Sequence, residues 1–257
     1  MTTPVASKTP YRVSPYFESI PEAVYRIDGV AGDRIVATVD GWLLPAPDAN
    51  PALTEMLADC NRATNRNLVP WAGEFVGKYL LGAIGVWKLT NDDRLKRSIE
   101  QVIERTIDLQ NVDGYLGPFN AETRLHEKWD AWGHYHLMLA LLAWHNESGD
   151  ERFLTATRKI ADLFITFFVD GNRRMLTKDD ADGEKNYAVA HAALHLYRVT
   201  GEKRYLDLAT WVEREWEEPP AGQYMSSALA GKPVSEFPSH RWESVHDWQA
   251  IAELSLI

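Results

Sequence analysis

The stretch Trp129-Asp130-Ala131-Trp132-Gly133-His134-Tyr135-His136 runs straight into the apolar segment LMLALLAW. Indoles, imidazoles, a phenol and a carboxylate at the head of an otherwise apolar segment are the groups that bind a polyhydroxylated ligand, since flat rings cover sugar faces and polar tips bond hydroxyls. On a helix, residues four apart share a face, so Trp132 and His136 are neighbours while His134 and His136 diverge. The His-x-His pair is therefore a poor metal clamp, and His136 competes only with a core histidine bonded to a backbone carbonyl. Glu74, in WAGEFVGKYL, is the candidate acceptor for a ligand hydroxyl, because a helix N-terminus favours an ionised carboxylate. Lys78 at i+4 offers it an ion pair instead. Trp71 precedes Glu74 by three residues, and Tyr115 follows the turn pair Asp113-Gly114. Asn186 and His191 open NYAVAH; His240, His246 and Asp247 lie in SHRWESVHDW, where a surface charge run explains them equally well.

The elements that must position these residues emerge from an internal repeat. LTNDDRLKRSIEQV, ESGDERFLTATRKI and VTGEKRYLDLATWV each combine a turn signal, an acidic residue, an arginine (Arg94, Arg152, Arg204) and an amphipathic run. Asn91 and Gly149 are 58 positions apart, and Gly149 and Gly201 are 52 apart, a period that fits a two-helix unit. The helix after each turn is amphipathic, with Leu95, Ile99, Val102 and Ile103 inward and Lys96, Arg97, Glu100 and Glu104 outward. The helix before each turn (GKYLLGAIGVW, LMLALLAW, YAVAHAALHLY) is apolar nearly all round and must be covered on every side. An inner ring wrapped by an outer ring, an all-α α/α toroid, satisfies both. Tight turns join inner to outer helices and long loops join outer to inner, so the long loops gather where the inner helices begin, and there the candidate residues stand. A short strand is expected at DRIVATV. The chain divides into an arm over 1–24 and a partial toroid over 25–257, about half of a six-hairpin ring, and the apolar run that stops at Ile257 leads to the expectation of a longer protein.

The formal net charge of −10 argues against a nucleic-acid partner or an anionic membrane surface. No apolar run has the length of a signal peptide core or a membrane span, so the chain as given reads as cytoplasmic. The single cysteine, Cys60, excludes an internal disulfide and a multi-cysteine zinc site within these residues, and reads as a small buried side chain. There is no phosphate-cradling glycine loop, no Gly-x-Ser-x-Gly and no His-Glu-x-x-His. No cofactor or metal is expected in this chain.

With these segments in hand, the chain resembles glycoside hydrolase family 127, the β-L-arabinofuranosidases. The similar features are GKYLLGAIGVWKLTNDDRL, QNVDGYLG, the histidine of YHLMLALL followed by ESGDERFL and ADLF, and LYRVTGEKRYLDLA, in this order over roughly residues 25 to 257. The resemblance implies an (α/α)6 catalytic barrel and a histidine at the position of His136 that contacts the sugar. Where the family offers a histidine at the start of the next inner helix, this chain has Asn186, with His191 one turn further. The family's nucleophile, a cysteine on a zinc site with glutamates nearby, lies in the second half of the barrel. Nothing here matches it, so the catalytic groups are expected beyond Ile257, with any zinc held by cysteines this chain lacks.

Three functions are thereby open. The first is the N-terminal portion of a hydrolase acting on arabinofuranosides or related plant-type glycans, supplying a substrate-binding wall from Trp71, Glu74, Tyr115, Trp132, His136, Asn186, His191 and His240. The second is a sugar epimerase or unsaturated-glycuronyl hydrolase on the same toroid, in which Asp130, His191 or His246 would act as acid or base. The third is a non-catalytic helical-repeat binding module.

Overall fold

The computed structural model describes residues 25–61, 68–125, 129–176, 183–219, 221–237 and 243–257. The expected arm over 1–24 and His240 lie outside the described residues. The helices are α1 (Gly29–Thr38), the short α2 (Ala46–Ala49) and α3 (Ala52–Glu55), α4 (Glu74–Thr90), α5 (Asp93–Asp108), α6 (Asp130–Ser148), α7 (Glu151–Phe164), α8 (Val189–Thr200), α9 (Lys203–Glu217), α10 (Tyr224–Leu229) and α11 (Ser244–Leu256). No strand occurs among the described residues. DRIVATV, expected as a strand, lies in α1 and the wide helical turn Val39–Leu43. An isolated strand has no neighbour to satisfy its amides, whereas a helix satisfies them internally, and this outweighs the small helix penalty of Ile and Val.

The inner row runs α4, α6, α8, α11, each helix packed on the next, and α5, α7 and α9 pack outside α4, α6 and α8. This is the inner-and-outer arrangement of an α/α toroid. Each outer helix turns one apolar stripe inward: α5 buries Leu95, Ile99, Val102 and Ile103, and α7 buries Phe153, Leu154 and Ile160. Inner α6 is buried nearly all round, from Asp130 to His145.

The repeated turns share one construction. Asn91, Gly149 and Gly201 end the inner helices in the left-handed conformation, with φ of 52°, 72° and 73°. Thr90, Ser148 and Thr200 each donate to the carbonyl four residues back, on Val86, Trp144 and Leu196. Asp92 and Asp150 then cap the outer helices, accepting from the amides of Arg94 and Arg152 at 2.8 and 2.9 Å. The arginine of each turn reaches across to the preceding outer element: Arg94 to Asp40, Arg152 to Glu104 and Arg204 to Asp162. The segment around Asp40 thus takes the place that an outer helix holds in the later units.

Glycine sets the approach of α4 to α6. A Cβ on Gly77 would stand 2.6 Å from the carbonyl carbon of His136, and one on Gly133 would stand 2.9 Å from that of Gly73. Only two helices without side chains at these points come close enough to bring the heads of α4 and α6 together.

Candidate active site

Where the inner helices begin, Trp132 and His136 share a face of α6, their rings 4.5 Å apart and nearly perpendicular. The indole Nε1 of Trp132 donates to Oε2 of Glu74 at the start of α4, and Lys78 pairs with the same carboxylate at 2.9 Å. The ion pair with Lys78 expected for Glu74 is present, and the other group on its carboxylate is the Trp132 indole rather than a ligand hydroxyl. Lys78 also lies over the Trp132 ring at 5.3 Å. From α11, His246 closes the group, 5.1 Å from the Trp132 ring and 5.8 Å from that of His136.

His136 is 4% exposed, and neither Nδ1 nor Nε2 has a hydrogen-bond partner among the described residues. Burial, with the charge of Lys78, lowers its pKa to about 3, so the ring is neutral and offers one donor and one acceptor. A sugar hydroxyl, which both donates and accepts, complements such a ring. The hydroxyl of Tyr135, one residue earlier, lies between Nδ1 of His191 on α8 (3.0 Å) and Nδ1 of His246 (2.9 Å), able to accept from one and donate to the other. Burial and the nearby Asp247 carboxyl push this phenol further above its ordinary range, so it stays protonated as a relay between the two imidazoles.

The remaining residues expected at the site are placed as follows. Trp71 is 38% exposed and packs on Trp129, ring centres 5.4 Å apart, at the rim beside Glu74. Asn186 accepts from the backbone amide of Trp132 at 3.0 Å, fastening the opening of α6 to the segment before α8. Tyr115 is fully buried: its hydroxyl donates to Asp130 Oδ2 (2.9 Å) and accepts from the amide of Phe119 (3.1 Å). Asp130 also accepts from the amide of Leu125 (2.7 Å), so Tyr115 and Asp130 together hold the long loop after α5. His134 points to this loop, away from His136: it accepts from the amide of Leu116 at Nε2 (3.1 Å), so its Nδ1–H donates to the carbonyl of Asp130 (2.8 Å).

An acidic group lies buried on the α8 and α11 side, where the surface charge run offered for Asp247 does not hold, and its members Glu184 and Glu243 were not picked out from the sequence. Asp247 is fully buried with neither carboxyl oxygen bonded among the described residues, and its pKa is raised well above the ordinary range by burial and by Glu184 and Glu243. The Tyr224 hydroxyl donates to Glu184 at 3.1 Å. Glu184 and Glu243 stand just before inner helices, the position rule that selected Glu74, and that rule applied to every helix finds them.

A cysteine nucleophile on zinc finds no counterpart in Cys60. Its thiol is buried, donates to the carbonyl of Leu57 (3.2 Å), and is pushed up in pKa by desolvation. Zinc ligation and nucleophilic attack both need a thiolate, so Cys60 does not fit. Among the described residues no helix is long and apolar enough to cross a membrane.

The chain is similar in sequence to the non-reducing end β-L-arabinofuranosidase of Bifidobacterium longum subsp. longum, 29% identical over 211 residues that make up 72% of this chain. It spans 30% of the length of that curated relative. Among solved structures it is similar to a GH127 β-L-arabinofuranosidase from Geobacillus stearothermophilus T6, with a TM-score of 0.57 and 21% identity over 82% of this chain and 35% of that one. A second GH127 β-arabinofuranosidase gives a TM-score of 0.60 at 16% identity, over 99% of this chain and 43% of that one. These likenesses show the α/α toroid fold. The model of the GH127 catalytic domain of β-L-arabinofuranosidases matches residues 30–239, most of the chain, and by that match the chain belongs to the GH127 β-L-arabinofuranosidase family.

Proposed function

We propose that this chain forms the substrate-binding wall of a glycoside hydrolase acting on β-L-arabinofuranosides or related plant-type glycans. The observation that carries the reading is His136: a neutral imidazole whose two nitrogens are buried without a partner among the described residues, beside an indole held by Glu74. A buried polar group of this kind calls for a ligand or an ordered water. In this account His136 bonds a sugar hydroxyl, Trp132 covers a face of the sugar ring, and Trp71 extends the apolar surface at the rim. Glu74 and Lys78 orient the Trp132 indole, Asn186 fixes the start of α6, and His191 supports the wall through Tyr135. Tyr115 serves by holding the loop after α5. The bond-breaking step is assigned to no residue of this chain.

The test is turnover by the protein as its gene encodes it, on a panel of aryl glycosides. Selective hydrolysis of the β-L-arabinofuranoside supports the reading. Activity confined to an unsaturated glucuronide overturns it in favour of acid–base chemistry at His191 or His246.

A further inference from the structure

Behind the wall, His191 and His195 stand four residues apart on α8, with their Nε2 atoms 2.9 Å from each other. Glu253 meets them from α11, and one ligand atom from each of the three residues lies within 4.8 Å of the others. We propose that His191, His195 and Glu253 bind one divalent cation of the zinc class, which ties α8 to α11.

The donor set selects the ion. Two imidazole nitrogens and one carboxylate oxygen are a recurrent zinc set, whereas calcium and magnesium take oxygen almost throughout. The i, i+4 spacing puts both imidazoles on one helix face, the arrangement that His134 and His136 lack.

The surroundings of His191 fit a ligand of this kind. A metal-bound histidine normally donates its second ring N–H to an oxygen, which fixes its tautomer. Here the Tyr135 hydroxyl lies 3.0 Å from Nδ1 of His191, positioned to accept from it and to donate onward to Nδ1 of His246 at 2.9 Å. That proton arrangement leaves the Nε2 lone pair of His191 facing Nε2 of His195. Arg198 stands 3.8 Å from the Glu253 carboxylate and orients it, and the side chains of Arg198 and Glu253 are 20% and 17% exposed, which leaves the cluster open to an ion from solvent. The expectation of no metal rested on the cysteine count and on the His-x-His pair; the His191/His195 pair escaped it because its third ligand comes from a helix 58 residues further on.

The experiment strips the protein as its gene encodes it with a chelator, dialyses it against micromolar zinc, and counts metal per chain for the parent, His195→Gln and Glu253→Gln. The variants should each hold one equivalent fewer than the parent while keeping its circular dichroism. Cobalt loaded in place of zinc should give the parent a visible band that both variants lose, without loss of any thiolate charge-transfer band from a cysteine site. Metal content equal in the parent and the folded variants, or no saturable zinc in the parent, overturns the proposal. Where one variant fails to fold, the other decides.

Discussion

Gly77 of α4 lies directly against the backbone of His136 on α6: a Cβ added to Gly77 would stand 2.6 Å from the His136 carbonyl carbon. That contact lets Trp132 reach Glu74, because any side chain at the crossing would push the two helices apart.

Gly77→Ala should therefore destabilise the protein by about 1–3 kcal/mol, since the clash is with backbone and not with a side chain that can turn aside. Gly82, on the same helix, would meet nothing within 4 Å. Gly82→Ala should stabilise by about 0.4–1 kcal/mol, through the lower entropy of the unfolded chain. Urea unfolding of the pair checks both signs; equal effects would mean that the crossing tolerates a methyl group.

The turn caps make a second test. Asp150 accepts from the amide of Arg152 at the start of α7, and Asp150→Ala should cost about 1 kcal/mol of stability. Hydrogen bonding to Arg152 holds the Asp150 carboxyl below its ordinary pKa of 3.8. A lowered folded value means that this stabilisation is present above about pH 3.8, the unfolded value, and is lost as the pH falls below it through the lower folded value. Thermal melts of the parent and the alanine variant should converge in strong acid.

His136 gives a pH dependence at milder acidity. Its folded pKa is lowered from 6.5 to about 3 by burial and by Lys78 and His246, while Trp132 and Tyr135 pack on it without charge. The unfolded chain then binds a proton that the folded chain refuses between these values. The contribution of His136 is full above about pH 6.5 and falls below it by on the order of 1.4 kcal/mol per pH unit until the pH nears 3, with the lowered His191 adding to the fall in the same range. His136→Gln should flatten the stability profile by that slope. A parallel profile in the variant would show that His136 titrates normally in the fold.

The helices were legible because their signals are local. The turns before α5 and α7 carry their own aspartate caps, and the contrast between the one-sided α5 and the wholly apolar α6 separates outer from inner helices. The pairing of Trp132 with His136 follows from helical periodicity alone. What sequence did not disclose depends on contacts between distant segments. Tyr115 is spent on Asp130, the Trp132 indole on Glu74, and Tyr135 on two histidines from later helices, and no spacing within one helix encodes those partners. DRIVATV misled because β-branched content was read without asking what strand would pair with it.

The most direct measurement takes His136→Ala in the protein as its gene encodes it, with kcat/KM on an aryl β-L-arabinofuranoside and the melting temperature read side by side. The account predicts that kcat/KM falls by roughly tenfold to a hundredfold, the loss of one or two hydrogen bonds worth about 1–3 kcal/mol, with the melting temperature little changed. A lowered melting temperature with kcat/KM intact in the folded protein would contradict it and make His136 a packing residue.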